Sequence, residues 1–127
     1  MTHPKITYAA QGIAAMLLLV AAGMKFTGQP GSAAIFASLD MEPTGRYLIA
    51  VIELAAALML LSPYAALGSV VAVGVMCGAI IAHVTRLGLV VGDDGGVLVG
   101  MLVVVLLCAS YVLFSRRREI PLVGNTL

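Results

Sequence analysis

Long apolar stretches alternate with short polar connections along this chain of 127 residues. Each stretch is close to the roughly 20 residues that an α-helix needs to cross the hydrocarbon core of a bilayer. The pattern predicts an all-α membrane protein, a four-transmembrane-helix bundle that forms a single domain over residues 1–127. The predicted helices span about residues 6–25, 45–62, 65–86 and 95–114, with an interfacial connection at 27–44.

Proline and small polar residues set the boundaries between these helices. The chain carries no charged residue from Leu54 to Ala82, which is too long for one span, and Ser62-Pro63 supplies the break. In the first connection, residues 32–39 (SAAIFASL) predict a short helix that lies at the interface or folds back on the bundle. The first apolar stretch also has features of a cleavable signal peptide, but it is long for one.

Composition and charge agree with a membrane protein and favour one orientation. Apolar residues make up 61% of the chain and charged residues 10%, whereas soluble domains carry about 25% charged residues. The net charge of +1 excludes the broad basic surface of a nucleic-acid-binding protein. Lys5 and the three arginines at 116–118 flank the outermost helices, so the positive-inside rule places both termini in the cytoplasm.

One carboxylate, Glu53, interrupts the apolar run of the second predicted helix. A helix rises about 1.5 Å per residue, so helices of alternating direction bring Lys25, Glu53 and His83 to one region of the outer leaflet. Ionisable side chains inside membrane helices often mark binding, ion or proton sites, which predicts a ligand-binding polar cluster. The alternative is that a Lys–Glu pair with a nearby histidine only fixes the register of three helices.

Three further charged residues lie around this cluster in the predicted topology. Arg46 and Arg86 are candidate rim residues of a binding pocket, although their positions near helix ends also suit interface anchors. Asp93 is a third candidate for the rim and, with Asp94, a candidate cap for the fourth helix.

The cysteines and glycines give weaker signals. Cys77 and Cys108 lie in apolar runs at different predicted depths, which predicts buried free thiols instead of a disulfide. The spacing of histidine and cysteine fits no zinc site, so no metal is expected. Gly74-x-x-x-Gly78 allows helices to approach closely, within the bundle or between copies in a homo-oligomer.

Several short motifs, in this order and spacing, resemble the DoxX-like family of small bacterial four-helix membrane proteins. They are AAGMKFTG at 21–28, VIELAAALMLL at 51–61, Pro63, GAIIAHVTRLG at 78–88 and DDGG at 93–96. The resemblance implies a multi-pass protein of the bacterial inner membrane in which Lys25, Glu53 and His83 occupy recurrent polar positions. Some relatives look like membrane subunits of thiosulfate–quinone oxidoreductases, and others are linked to redox-stress complexes, which implies a redox-enzyme partner and a quinone ligand.

These observations support one leading hypothesis and two alternatives. The leading hypothesis is a redox-associated membrane subunit that binds a small lipophile such as a quinone. Lys25 or His83 would donate a hydrogen bond to a carbonyl, and Glu53 would orient the donor or exchange a proton. No paired thiol accompanies the helices, which favours an accessory subunit over an independent enzyme. The alternatives are a small-solute or proton-coupled transporter and a non-catalytic assembly or scaffold protein.

Overall fold

The described part of the chain folds into five α-helices and contains no strand. The structure is a computed structural model, and it describes residues 3–88, 95–121 and 124–126. The helices are α1 (Pro4–Phe26), α2 (Pro30–Ser38), α3 (Thr44–Leu60), α4 (Ala65–Ala82) and α5 (Val97–Ser115). α4 continues into a π-helical turn at His83–Leu87, and 3-10 turns follow α5 at Arg117–Glu119 and Gly124–Thr126.

Three stretches of the described chain are long and apolar enough to cross a membrane. They are α1, α4 together with its π-helical turn, and α5, with 23, 23 and 19 residues. α3 has 17 residues, which correspond to about 26 Å of helix and fall short of the hydrocarbon core of about 30 Å. The prediction of an all-helical protein with long apolar helices is therefore confirmed, whereas the fourth span stays a prediction.

Local sequence explains where the helices begin and end. Pro4 and Pro30 occupy the first turn of α1 and α2, where the missing N–H costs no helical hydrogen bond. Gly28 adopts a positive φ of 68° just after α1, a conformation that glycine reaches without steric cost. Ser62 lies in the turn between α3 and α4, and its hydroxyl donates a hydrogen bond to the carbonyl of Met59 at 2.8 Å.

The four longer helices pack in a ring around a core rich in small residues. α1 and α4 each contact both α3 and α5, while α2 contacts α1 and α3. Small side chains let neighbouring helix backbones approach closely in a membrane protein. The core alanines are Ala10, Ala14, Ala15, Ala56, Ala57, Ala65, Ala72 and Ala109.

Large apolar side chains cover the outer surface of this ring. Met16, Leu58, Ile81 and Leu107 are all more than half exposed, and they come from four different helices. Such a broad apolar exterior would be an aggregation hazard in water, whereas hydrocarbon chains accommodate it without penalty. The arrangement of small residues inside and large apolar residues outside therefore fits a lipid surrounding.

Glycine permits close helix packing at Gly68, not at the positions predicted from the sequence. A Cβ added to Gly68 would lie 2.8 Å from Cβ of Met59 and 2.9 Å from the backbone nitrogen of Leu60. A Cβ added to Gly74 or Gly78 would meet nothing within 4 Å. The prediction that Gly74-x-x-x-Gly78 packs closely inside the bundle is wrong, because a Cβ at either position would meet no atom within 4 Å, while packing between copies stays a prediction.

A polar link joins three helices at one end of the ring, which we call the Arg116 end. Gln11 of α1 donates a hydrogen bond from Nε2 to the carbonyl of Leu60, the last residue of α3, at 2.6 Å. Arg116, just after α5, donates from Nε to Oε1 of Gln11 at 2.8 Å, and its guanidinium lies 5.3 Å from the ring centroid of Tyr8. The start of α1 and the ends of α3 and α5 therefore meet, which makes α1 antiparallel to both helices.

Candidate functional site

The opposite end of the ring contains an ion pair between Lys25 and Glu53. Lys25 lies in the last turn of α1, and its Nζ is 3.0 Å from Oε1 and 3.1 Å from Oε2 of Glu53 in the middle of α3. The Glu53 side chain is 4% exposed and the Lys25 side chain 16% exposed. A carboxylate buried this deeply is costly without a partner, so the ammonium accounts for how Glu53 is tolerated inside the bundle.

Small side chains next to the pair let the two helices come close enough for this contact. Ala22 precedes Lys25 on α1 and is 2% exposed, while Ala50 and Ala57 flank Glu53 on α3 and are fully buried. Residues three or four apart share a helix face, so these alanines lie on the face that carries the charged group.

His83 opens the π-helical turn after α4 and is 5% exposed. Its Nδ1 lies 2.9 Å from the carbonyl oxygen of Gly88, while the backbone N–H of Gly88 donates to the carbonyl of His83 at 2.7 Å. Gly88 has a φ of 78°, which favours glycine there. The first of these hydrogen bonds orients the imidazole and the second joins the backbones of His83 and Gly88. π-helical turns of this kind often occur at functional sites.

Lys25, Glu53 and His83 all line one cavity of about 490 Å³. The rest of its wall is mainly apolar and comes from all five helices, including Leu18, Ala79 and Met101. Ligand-binding pockets typically enclose about 300–1,000 Å³ and combine apolar walls with a few polar groups. The structure therefore places the three residues singled out from the sequence in the wall of one cavity.

α2 covers this cavity and contributes Ser32, Ile35 and Phe36 to its wall, of which Ser32 and Phe36 are the buried ones. They are 8% and 7% exposed, and both line the cavity. α2 packs against α1 and α3, as expected if the short helix folds back on the bundle, and its position relative to the membrane interface stays a prediction. Ser32 was not recognised as a site residue from sequence, since a single serine in a connection carries no spacing signal.

The cavity reaches the molecular surface along α4. Gly74 and Gly78 line it and are exposed, and neither position has an atom within 4 Å of an added Cβ. Leu98 and Met101 of α5 line the same cavity and are half-buried. An apolar molecule could therefore enter from the side of the bundle, where lipid would lie.

Of the three residues predicted at the rim of the pocket, the structure describes Arg46 and Arg86, and neither lines the cavity. Arg46 is 6% exposed, does not line the cavity, and donates from Nε to both carboxylate oxygens of Glu42 at 2.9 Å. Its NH1 donates to the backbone carbonyl of Lys25, so Arg46 ties the start of α3 to the end of α1. Arg86 is exposed and also lies outside the cavity wall. Asp93 lies outside the described residues.

The two cysteines do not belong to the polar cluster. Cys77 and Cys108 are both free, but Cys77 is exposed and Cys108 only half-buried, so the prediction of buried thiols is wrong. Cys77 does not line the cavity. Within the described ranges, no group of three His, Cys, Asp or Glu side chains could hold a metal ion.

The arrangement offers three kinds of polar contact to a molecule in the cavity. An ammonium has three donors, and Lys25 retains donor capacity beyond its contacts with Glu53. Glu53 supplies carboxylate oxygens, and His83 supplies an imidazole nitrogen. The cavity can therefore bind a mainly apolar ligand by a small polar group and exchange protons with it.

Comparison with known proteins supports the resemblance seen in the sequence. The family model described as the DoxX-like family matches residues 9–111, a range that contains Lys25, Glu53 and His83. No curated protein and no solved structure matches the chain. The match extends over most of the chain and agrees with its long apolar helices, which together indicate an integral membrane protein. The chain belongs to the DoxX-like family.

Proposed function

We propose that this protein is a redox-associated membrane subunit that binds a small lipophile, such as a quinone, in the cavity between its helices. The observation that carries the proposal is the meeting of Lys25, Glu53 and His83 in the wall of one mainly apolar cavity of about 490 Å³. A purely structural ion pair needs no such space beside it. A mainly apolar cavity with a few polar groups in its wall suits a ligand that is itself mostly hydrocarbon.

The residues of the cavity fit a quinone in size and in donor chemistry. Lys25 would hold one carbonyl oxygen by a charge-assisted hydrogen bond, and Glu53 would keep the ammonium in position. The apolar walls would contact the ring and its hydrocarbon tail. A bound quinone would supply the capacity to accept electrons, while the chain would bind, orient and shield it from water.

The membrane topology that we propose has four spans with both termini in the cytoplasm, in the bacterial inner membrane. Lys5 and Arg116 to Arg118 would lie on the cytoplasmic side, in agreement with the positive-inside rule. The cavity would then lie in the outer leaflet. α3 would cross a locally thinner bilayer or be extended by its flanking residues, since mismatch of a few ångströms has a modest cost.

We also propose that redox turnover requires a partner enzyme, because the resemblance to DoxX-like subunits points to complexes of this type. Arg117 and Arg118 follow α5 beside Arg116, whose side chain is engaged by Gln11 and Glu119, and Arg118 is exposed. A soluble enzyme on the cytoplasmic side would contact this end, while the lipophile would be bound at the opposite end of the bundle.

The test of ligand binding is the amount of lipophile that leaves the membrane with the protein. The full chain is extracted with its surrounding lipid into polymer-bounded nanodiscs, purified, and analysed by mass spectrometry for small molecules. Ala79→Phe places a large ring in the cavity wall, whereas Ile81→Phe makes a similar change on an outward position that is 63% exposed.

We expect about one lipophile per chain in wild type and in Ile81→Phe, and its loss in Ala79→Phe. Circular dichroism and gel filtration serve to verify that both variants keep the fold. Equal amounts of the same molecules in all three proteins, in proportion to bulk lipid, would show that the cavity selects no ligand.

A further inference from the structure

The hydrogen bond of His83 determines which nitrogen of its neutral ring can face a ligand. A backbone carbonyl oxygen only accepts hydrogen bonds, so the contact at 2.9 Å requires a proton on Nδ1 of His83 to point at Gly88. The other nitrogen, Nε2, then carries a lone pair and acts as an acceptor. The local geometry of the π-helical turn thus selects the tautomer of an imidazole that lines the cavity.

Nε2 has no hydrogen-bond partner among residues 3–88, 95–121 and 124–126. His83 is 5% exposed and belongs to the wall of the cavity. Nε2 is not among the fully buried unpartnered atoms of the described residues, so it remains accessible from the cavity side. A ligand that brings a donor to this nitrogen would form a hydrogen bond that the described chain does not supply.

We propose that the lipophile bound in this cavity carries a hydroxyl group, such as that of a phenol or a quinol, and that His83 Nε2 accepts its hydrogen bond. This inference rests on the proposed function and narrows it to a chemical class. A quinone in its oxidised form has carbonyl acceptors only and offers nothing to Nε2, whereas a quinol offers a donor.

Charge and polarity in the cavity favour a neutral hydroxyl over other donors. The Lys25 ammonium lines the same wall and repels a cationic amine, and the apolar remainder of the wall disfavours groups with several unpaired polar atoms. A hydroxyl oxygen also keeps lone pairs that can accept from Lys25. Ser32 and Glu53 are further acceptors in the wall, and both oxygens of Glu53 already lie within 3.1 Å of Nζ of Lys25.

The test compares two probes that differ in one O–H group. The probes are 4-dodecylphenol and its methyl ether, 4-dodecylanisole, and their dissociation constants are measured on the full chain in lipid nanodiscs, with empty nanodiscs as background. Both probes are measured at the same pH of about 8, at which a phenol keeps its proton. His83→Asn is the main variant, because its amide nitrogen can still donate to Gly88 while no acceptor remains at the Nε2 position. His3→Asn makes the same change at an exposed histidine.

We expect wild type and His3→Asn to bind the phenol about tenfold more tightly than the ether, as one net hydrogen bond allows. In His83→Asn this preference, the ratio of the two dissociation constants, should fall below about twofold. His83→Gln returns an amide oxygen toward the Nε2 position and should restore part of the preference.

Two results would overturn the inference while leaving the cavity a lipophile site. One is equal affinity of wild type for phenol and ether, and the other is a preference that survives in His83→Asn, which would assign the contact to another acceptor. If neither probe binds above the background of empty nanodiscs, the proposed function fails as well.

Discussion

Replacing Lys25 by methionine tests whether the ion pair is what makes Glu53 tolerable inside the bundle. Methionine keeps the length and the apolar stem of the lysine but leaves a carboxylate that is 4% exposed without its cation. Removing one member of a buried ion pair costs about 3–5 kcal/mol. Because the Lys25 side chain is 16% exposed, we expect the lower end, a loss of about 3 kcal/mol in the free energy of unfolding.

Glu53→Gln and the double variant Lys25→Met/Glu53→Gln complete a double-mutant cycle with Lys25→Met. Glu53→Gln keeps an oxygen that can accept from Lys25, so it should cost only about 1–2 kcal/mol. In the double variant Lys25→Met/Glu53→Gln no charge is left unpaired. Its total loss should therefore be smaller than the sum of the two single losses by about 2 kcal/mol.

Unfolding of the full chain in mixed micelles with increasing mole fraction of sodium dodecyl sulfate, followed by circular dichroism, provides the four free energies. The reasoning is refuted if the losses add to within about 0.5 kcal/mol, the range expected for residues that do not interact. Retention of full stability in Lys25→Met alone would refute it equally.

The remaining predictions concern two glycines of α4 and the polar link at the Arg116 end, and they use the same unfolding assay. Gly78→Ala should raise the free energy of unfolding by about 0.5–1 kcal/mol, because the methyl group meets open space and alanine favours the helix. Gly68→Ala should lower the free energy of unfolding by about 1–3 kcal/mol, because its Cβ would overlap the end of α3. A loss of stability in Gly78→Ala or a gain in Gly68→Ala would contradict the corresponding prediction. Gln11→Leu should cost about 1–3 kcal/mol by leaving Arg116 and a buried carbonyl without their partner, whereas Ile13→Leu on the exposed face of α1 should cost little. Equal stability of these two variants would show that the polar link is dispensable.

The polar cluster could be located from the sequence because a helix has a fixed rise per residue. Once three apolar runs and their directions were assigned, the depths of Lys25, Glu53 and His83 followed from counting residues. All three residues line the same cavity in the structure. Depth alone does not indicate an empty space, so the cavity and the role of α2 as its cover required the structure.

Rotation of each helix about its axis could not be obtained in the same way. Gly68 and Gly78 lie on one apolar helix, yet one contacts α3 backbone and the other faces open space. With apolar residues all round α4, the sequence has no polar face to mark the outside. The link between Gln11 and Arg116 joins positions 105 residues apart, and no local pattern connects them.

The most direct test of the central claim is where a lipophile is found in the folded protein. A diazirine derivative of 4-dodecylphenol is photolysed with the full chain in lipid nanodiscs, and the labelled residues are mapped by tandem mass spectrometry. We predict labels on cavity residues of α4 and α5, such as Ala79 and Met101, that disappear with excess unlabelled phenol. Labels confined to outward positions such as Met16 and Leu107, at a level that the competitor does not change, would contradict the account.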